Sequence, residues 1–197
     1  MPIPKPPTCR GCPLYPEYYG QGFVPPEGLA TNGVLLLGEA PGQFEQQVGR
    51  PFVGASGSLL DQTMRRLDGY KPTNWRTEFA IANTVSCRPP NNWLEGAPYE
   101  HQAIACCDQY FRTAVRKYRP KVVVPLGGVA LKKVLDISGI LDRRAPKRGY
   151  VYQAVLPLGN DEYHECLVVP SVHPAHIIRG AQNLAGVLAY DISRAIQ

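Results

Sequence analysis

Val34-Leu35-Leu36-Leu37 runs straight into Gly38-Glu39-Ala40-Pro41-Gly42, an apolar block that ends in a turn rich in glycine and proline. A short apolar run bounded in this way reads as a buried strand. The turn lets backbone approach a ligand closely, because glycine adds no side chain and tolerates positive φ. Glu45 follows, then Gly49-Arg50-Pro51-Phe52-Val53-Gly54-Ala55-Ser56-Gly57, then a helix-like stretch over Ser56–Leu67. Strand, glycine-rich loop and helix form the opening unit of a parallel α/β sheet, whose ligand site is built from the loops leaving the strands' carboxyl ends.

The same alternation continues outward from this unit. Further strands are expected at Phe79–Val85, Val122–Leu126 and Leu167–Val169, with an extended piece around Tyr150–Val155, and the first strand spans Gly33–Leu37. Helices are expected over Tyr99–Tyr118, Val129–Leu135 and Leu184–Ile196, and segments 13–32, 88–98 and 138–149 read as loops. The 197 residues, 44% hydrophobic and 19% charged, suit one domain over residues 1–197, with residues 1–8 as a loose proline-rich arm. No apolar run approaches the ~20 residues that span a bilayer, and the N-terminus lacks a signal peptide's apolar core, so a cytoplasmic protein with no membrane partner is expected. The net charge of +5 suits a polyanionic partner without specifying one.

The loop after the first strand can do chemistry. Glu39 and Glu45 can take a proton or hold a water, and Phe52 offers a flat face for a base. A phosphate loop is disfavoured, because no Gly-Lys-Ser/Thr follows the glycines.

The six cysteines are Cys9, Cys12, Cys87, Cys106, Cys107 and Cys166. In a reducing compartment, clustered cysteines more often bind metal than form disulfides. Cys9-Arg10-Gly11-Cys12 is a CxxC pair, and a third and fourth thiol would make a tetrathiolate site for zinc or an iron–sulfur cluster, which spacing does not separate. On Tyr99–Tyr118 the apolar stripe runs Ala103, Ile104, Cys107, Tyr110, Phe111, Ala114, Val115, Tyr118. Cys107 lies on that stripe and Cys106 about 100° round the helix on its polar side, so Cys107 is the better fourth thiol. Cys166, in a strand-like stretch, reads as a core thiol.

Asn83 ends an apolar strand, where it is a turn former or, with its amide donor and acceptor, a reader of a base edge. His173, in Val168-Val169-Pro170-Ser171-Val172-His173-Pro174, stands at another strand's carboxyl end.

These stretches together resemble one family. GEAPGQFEQQVGRPFVGASGSLL (residues 38–60) looks like the first motif of the iron–sulfur (family 4) uracil-DNA glycosylases, and Val168–Arg179 resembles their second. The resemblance runs from Cys9 almost to the C-terminus. It implies a three-layer α/β/α fold around a four-stranded parallel sheet and removal of uracil from single- or double-stranded DNA by a monomer, nucleoid-associated when acting. It also implies a 4Fe–4S cluster on Cys9, Cys12, Cys87 and Cys107, with Cys87–Cys107 a few residues longer than usual. It implies uracil recognition by Asn83, catalysis by His173, and a pocket in which Phe52 stacks on the base beside the Glu39–Ala40 backbone. Glu39 or Glu45 would stabilise the sugar cation or orient water, since Ala40 stands where better-known relatives carry a water-activating aspartate. Ile177 or Ile178 would wedge into the DNA, with Arg179 following in the same motif, and the Arg143, Arg144, Lys147, Arg148 loop would meet phosphates. Arg65-Arg66 and Lys132-Lys133 are further basic pairs. The competing readings are a glycosylase for another deaminated base, a covalent uracil binder, disfavoured because Pro89–Glu100 carries no basic cluster, and a non-catalytic metal protein that binds nucleic acid.

Overall fold

A computed structural model describes residues 2–16, 22–137 and 148–197. Among these residues a six-stranded sheet has the order β1-β3-β2-β4-β6-β5. β2 (Val34–Gly38) lies at its centre with all five residues buried. β2 pairs in parallel with β3 (Ala80–Asn83) and β4 (Val122–Pro125), and β4 pairs in parallel with β6 (Glu162–Val168). β1 (Glu27–Gly28) and β5 (Tyr152–Gly159) are antiparallel edge strands.

The expected four parallel strands form the centre, β3-β2-β4-β6, and among the described residues antiparallel β1 and β5 extend the sheet to six. The difference has a local cause. Strand β6 alternates exposed and buried residues before becoming apolar, as one arm of a hairpin does, so only its last residues form an apolar run. Asn160 and Asp161, at φ 52° and 58°, make the two-residue turn joining it to β5, the left-handed pair that matches strand twist.

Successive residues of β2 point to opposite faces. Leu35 and Leu37 pack on one side with Phe111, Val115 and Val134, from α4 (Glu100–Tyr118) and α5 (Gly128–Ile137). Val34 and Leu36 pack on the other with Leu60, Leu188 and Ile192, from α2 (Ala55–Met64) and α7 (Ala185–Ile196). Each fully buried leucine here contributes about 1.5–3 kcal/mol relative to exposure. Three short helices complete the layers: α1 (Gln43–Val48), α3 (Trp75–Glu78) and α6 (Pro174–Ile178).

A third apolar cluster forms where the N-terminal segment meets the chain leaving β3, and it contains Cys9, Cys12, Leu14, Val85, Cys87, Leu94 and Cys107. The expected loose arm is tied to it. Phe23 donates its N–H to the Ile3 carbonyl at 2.7 Å, and Lys5 Nζ donates to the Leu14 carbonyl at 2.6 Å. No helix among the described residues is long and apolar enough to cross a membrane.

Candidate active site

A cavity of about 960 Å³ opens at the carboxyl ends of all four parallel strands, lined by Glu39 after β2, Asn83 of β3, Gly127 after β4 and His173 after β6. Main-chain bonds hold these exits together. Thr84 donates to Gly38, Leu126 to Leu37 and Gly127 to Ser171, at 2.8, 2.8 and 3.0 Å.

At the cavity floor, Asn83 and Phe52 converge on Gly38. A Cβ there would stand 2.4 Å from Asn83 Oδ1 and 2.6 Å from Phe52 Cζ, so only glycine leaves room for both. Phe52 is buried and holds a left-handed φ of 52°, a conformation that costs a non-glycine residue of order 1–3 kcal/mol unless its surroundings enforce it. Arg76 enforces it. Its guanidinium donates to the Phe52 carbonyl and, at 3.1 Å, to that of Pro51, and pairs with Glu27 at 2.8 Å. Gly57 leaves space for the same carbonyl, which a Cβ would overlap at 1.7 Å.

The His173 ring lies 6.4 Å from that of Phe52 at 33°. His173 begins α6, and its Nδ1 accepts the Ala175 N–H at 3.1 Å. In the neutral ring the proton then sits on Nε2. Burial, helped by the charge of Arg179, pushes the His173 pKa down to about 4, so the ring is neutral at physiological pH and Nε2 is a donor.

The two carboxylates of the first motif differ in use. Glu45 is buried and accepts from Gly42, Val53 and Gly54 N–H at 3.1, 2.9 and 2.8 Å, which ties the loop to itself. Glu39 lines the cavity, and its carboxyl is raised above the ordinary 4.5, first by burial and then by Glu95 and Glu100, against the pull of Arg179. Ala40 lines the cavity beside it and packs on the cysteine cluster.

Of the two isoleucines, Ile177 is 3% exposed in the core and Ile178 is 46% exposed. Arg179 and Arg148 line the cavity. Arg143, Arg144 and Lys147 lie outside the described residues. Lys133 is buried against Asp108 and does not face a partner, whereas Lys132 is exposed.

Cys9, Cys12, Cys87 and Cys107 are buried together, and Cys107 senses the other three. Cys106 is less buried and adds to the upward shift of the Cys12 thiol. Burial pushes Cys87 and Cys107 up to about 12 and Cys12 up to about 11. Thiols this desolvated ionise readily only beside a metal, so donor type, number and burial fit a thiolate-bound group. Among the described residues, no group of three or more His, Cys, Asp or Glu side chains is placed to hold a single metal ion. Cys166 is a core thiol between sheet and helices.

Residues 25–190 match the model of the uracil DNA glycosylase superfamily. A type-4 uracil-DNA glycosylase of Pyrobaculum aerophilum is 35% identical over 176 residues, 87% of this chain and 80% of that protein. The chain belongs to the type-4 uracil-DNA glycosylase family. Family members from Sulfurisphaera tokodaii and Thermotoga maritima are 30% and 31% identical, over 95% of this chain in each case and 78% and 87% of their own lengths. The solved SMUG2 of Pedobacter heparinus shares the fold, with a TM-score of 0.53 and 12% identity over 92% of this chain and 80% of that one.

Sequence reasoning missed several residues that build this family's site here. Arg76 reaches Phe52 from 24 positions away, so no local pattern marks it. Asp191 is buried on α7, accepts from Ser171 Oγ at 2.8 Å and pairs with Arg148 at 3.4 Å, thereby bracing the strand end that carries His173. A lone aspartate on the apolar face of α7 was its only signal. Asn92, Trp93 and Glu95 also line the cavity, from a stretch read only as loop.

Proposed function

We propose that this chain excises uracil from DNA by hydrolysing the bond between uracil N1 and deoxyribose C1′, leaving an abasic site. The observation that carries this reading is the convergence of the Phe52 ring and Asn83 amide on Gly38, with the neutral His173 ring beside them.

The target nucleotide leaves the stack, since its glycosidic bond is unreachable inside a duplex. Phe52 stacks on the flipped base, next to the Glu39–Ala40 backbone. Asn83 donates its amide N–H to uracil O4 and accepts N3–H on Oδ1. Cytosine presents the reverse pattern on that edge and is rejected, since a mismatched edge leaves buried polar groups unpaired. As the C1′–N1 bond breaks, its electron pair passes to uracil and is shared onto O2, where His173 Nε2–H donates. A neutral donor aimed at developing charge needs no reorganisation. The Glu39 carboxylate, unlike that of Glu45, is free of backbone donors, faces the cationic sugar and accepts the proton of the water that adds to C1′. Ile178 fills the gap left in the stack, because Ile177 is committed to the core. Arg179 and Arg148 hold phosphates, joined by Arg143, Arg144 and Lys147.

Cys9, Cys12, Cys87 and Cys107 would hold a 4Fe–4S cluster through four thiolates. The hydrolysis moves no electrons, so this group supplies cross-links rather than a chemical step. We read the working unit as a monomer acting on DNA in the cytoplasm.

A labelled oligonucleotide with one uracil, treated with protein and then alkali, tests the reading. Wild type should cut at uracil and not at thymine or hypoxanthine, and His173→Ala should lower kcat about 10²–10³-fold, the range for losing one such donor. A folded wild type that leaves uracil intact would remove the assignment.

A further inference from the structure

Pro89, Asn92, Trp93, Leu94 and Glu95 line the same cavity as Arg148 and Arg179, and the chemistry above does not use them. The most prominent of these side chains is Trp93, which lines the cavity while remaining 53% exposed. An indole that lines a cavity and keeps this much of its surface open offers a broad apolar face to a ligand.

The indole is pinned in place. Its Nε1–H donates to the Glu95 carbonyl at 2.9 Å, so its polar group is satisfied and its faces are apolar. Its own N–H donates to Pro90 at 2.9 Å and its carbonyl accepts from Tyr99 Oη at 2.5 Å. Asn91 and Asn92 turn the chain with φ of 53° and 55°, and Arg88 clamps Asn92 Oδ1 at 2.7 Å. The next residue, Leu94, is fully buried in the cysteine cluster. A rigid aromatic held beside the site forfeits little entropy on binding.

Charge selects what lies on it. The same stretch also carries Glu95, close enough to Glu39 to raise its pKa together with Glu100, while the cations lining the cavity are Arg148 and Arg179. Phosphates of a strand are drawn to Arg148 and Arg179 rather than to Glu95. A strand held there brings its bases to the cavity that Trp93 lines.

We propose that Trp93 is a stacking platform for an unpaired base adjacent to the flipped uracil. The site therefore takes a two-base unit of unpaired strand, not an isolated extruded nucleotide. This rests on the uracil reading above. Base–aromatic stacking is sequence-tolerant, so the platform demands an unpaired neighbour and not a particular base.

Two readouts test it. The first is indole fluorescence with a single strand carrying uncleavable 2′-fluoro-deoxyuridine. Trp75 is buried and bonded to Asp61, so quenching that disappears in Trp93→Phe reports a base on Trp93. The second is steady-state cleavage of single strands in which either neighbour of uracil is a natural nucleotide or an abasic tetrahydrofuran spacer. Trp93→Ala should raise KM about ten- to a hundredfold on natural strands, with kcat within twofold, and Trp93→Phe should retain most of the affinity. With a spacer on the stacking side, wild type and Trp93→Ala should coincide. Equal losses on natural and spacer strands, no loss at all, or quenching that survives in Trp93→Phe would overturn the proposal. Failure of the uracil reading looks different, since wild type would cut none of these strands.

Discussion

From Gly38 to Gly57 the cavity wall is closed and strained: Phe52 sits buried at positive φ, Glu45 spends its carboxylate on three backbone N–H groups, and Arg76 locks the main chain from a distant helix. From Cys87 to Glu100 the second wall is open, with Trp93 and two asparagines in left-handed turns, pinned by Cys87 and Leu94 in the cysteine cluster. The first wall has no tolerance at Gly38, where the Asn83 amide and the Phe52 ring both close on the backbone. The second needs only to present a surface at a fixed height. Precision is supplied by strand ends and reach by a loop, a division expected where rigid scaffold and variable loop share a site.

The largest effect should come from spoiling the first wall. Gly38→Ala puts a methyl 2.4 Å from Asn83 Oδ1 and 2.6 Å from Phe52 Cζ. Neither can retreat freely, since Asn83 ends a central strand and Phe52 is buried. Overpacking of this kind costs about 1–3 kcal/mol of stability, whereas displacing reacting groups by about 1 Å can cost 10²-fold in rate. We expect kcat/KM on a uracil oligonucleotide to fall about 10²-fold or more while far-ultraviolet circular dichroism and cooperative melting persist. Wild-type kcat in this variant would mean that the first wall is as tolerant as the second.

The second wall should instead fail where it is pinned. Cys107→Ser is expected to lose bound iron and to lower Tm by roughly 6–12 °C, for about 3 kcal/mol lost in a chain of this size. Proteolysis should then begin within residues 88–98. Cys106→Ser should keep its iron and stay close to wild type, because its thiol is the less buried of the two. Iron analysis and limited proteolysis of the pair decide the ligand. If Cys106→Ser loses iron and Cys107→Ser does not, the assignment reverses.

The walls also differ in how much the sequence disclosed. The strand at Val34–Leu37 is legible as an unbroken apolar run, and the stripe through Ala103, Cys107, Phe111 and Val115 is periodic over enough residues to set Cys107 apart from Cys106. Periodicity fails in short elements. α6 has five residues, too few to tell buried Ile177 from exposed Ile178. α1, six mostly polar residues between Gly42 and Gly49, leaves no apolar stripe at all. Long-range partners leave no local trace either: nothing near Glu45 in sequence marks its bonds to Val53 and Gly54, and nothing near Phe52 or Ser171 marks Arg76 or Asp191. Gly159-Asn160-Asp161-Glu162 carries a hairpin signal in its turn residues, not in any apolar run.

The smallest effect tests whether one wall acts on the other through charge alone. Glu39 belongs to the first wall, and its carboxyl is raised above 4.5 by burial and next by Glu95 on the second. If Glu39 accepts the proton of the attacking water it must be ionised, so activity falls as pH drops through its raised pKa. Glu95→Gln removes a negative charge, which makes ionised Glu39 less costly and lowers that pKa. The acid limb of the kcat profile should therefore move to lower pH, leaving the variant faster than wild type on the limb and equal above it. His173 does not obscure this, because it stays neutral until its own pKa of about 4. Glu39→Gln should depress kcat and erase the limb, in wild-type and Glu95→Gln backgrounds alike. A limb that ignores Glu95 but vanishes with Glu39 would confine the coupling to burial. A limb that survives Glu39→Gln would take the proton from Glu39 and leave the first wall with no carboxylate in the chemistry.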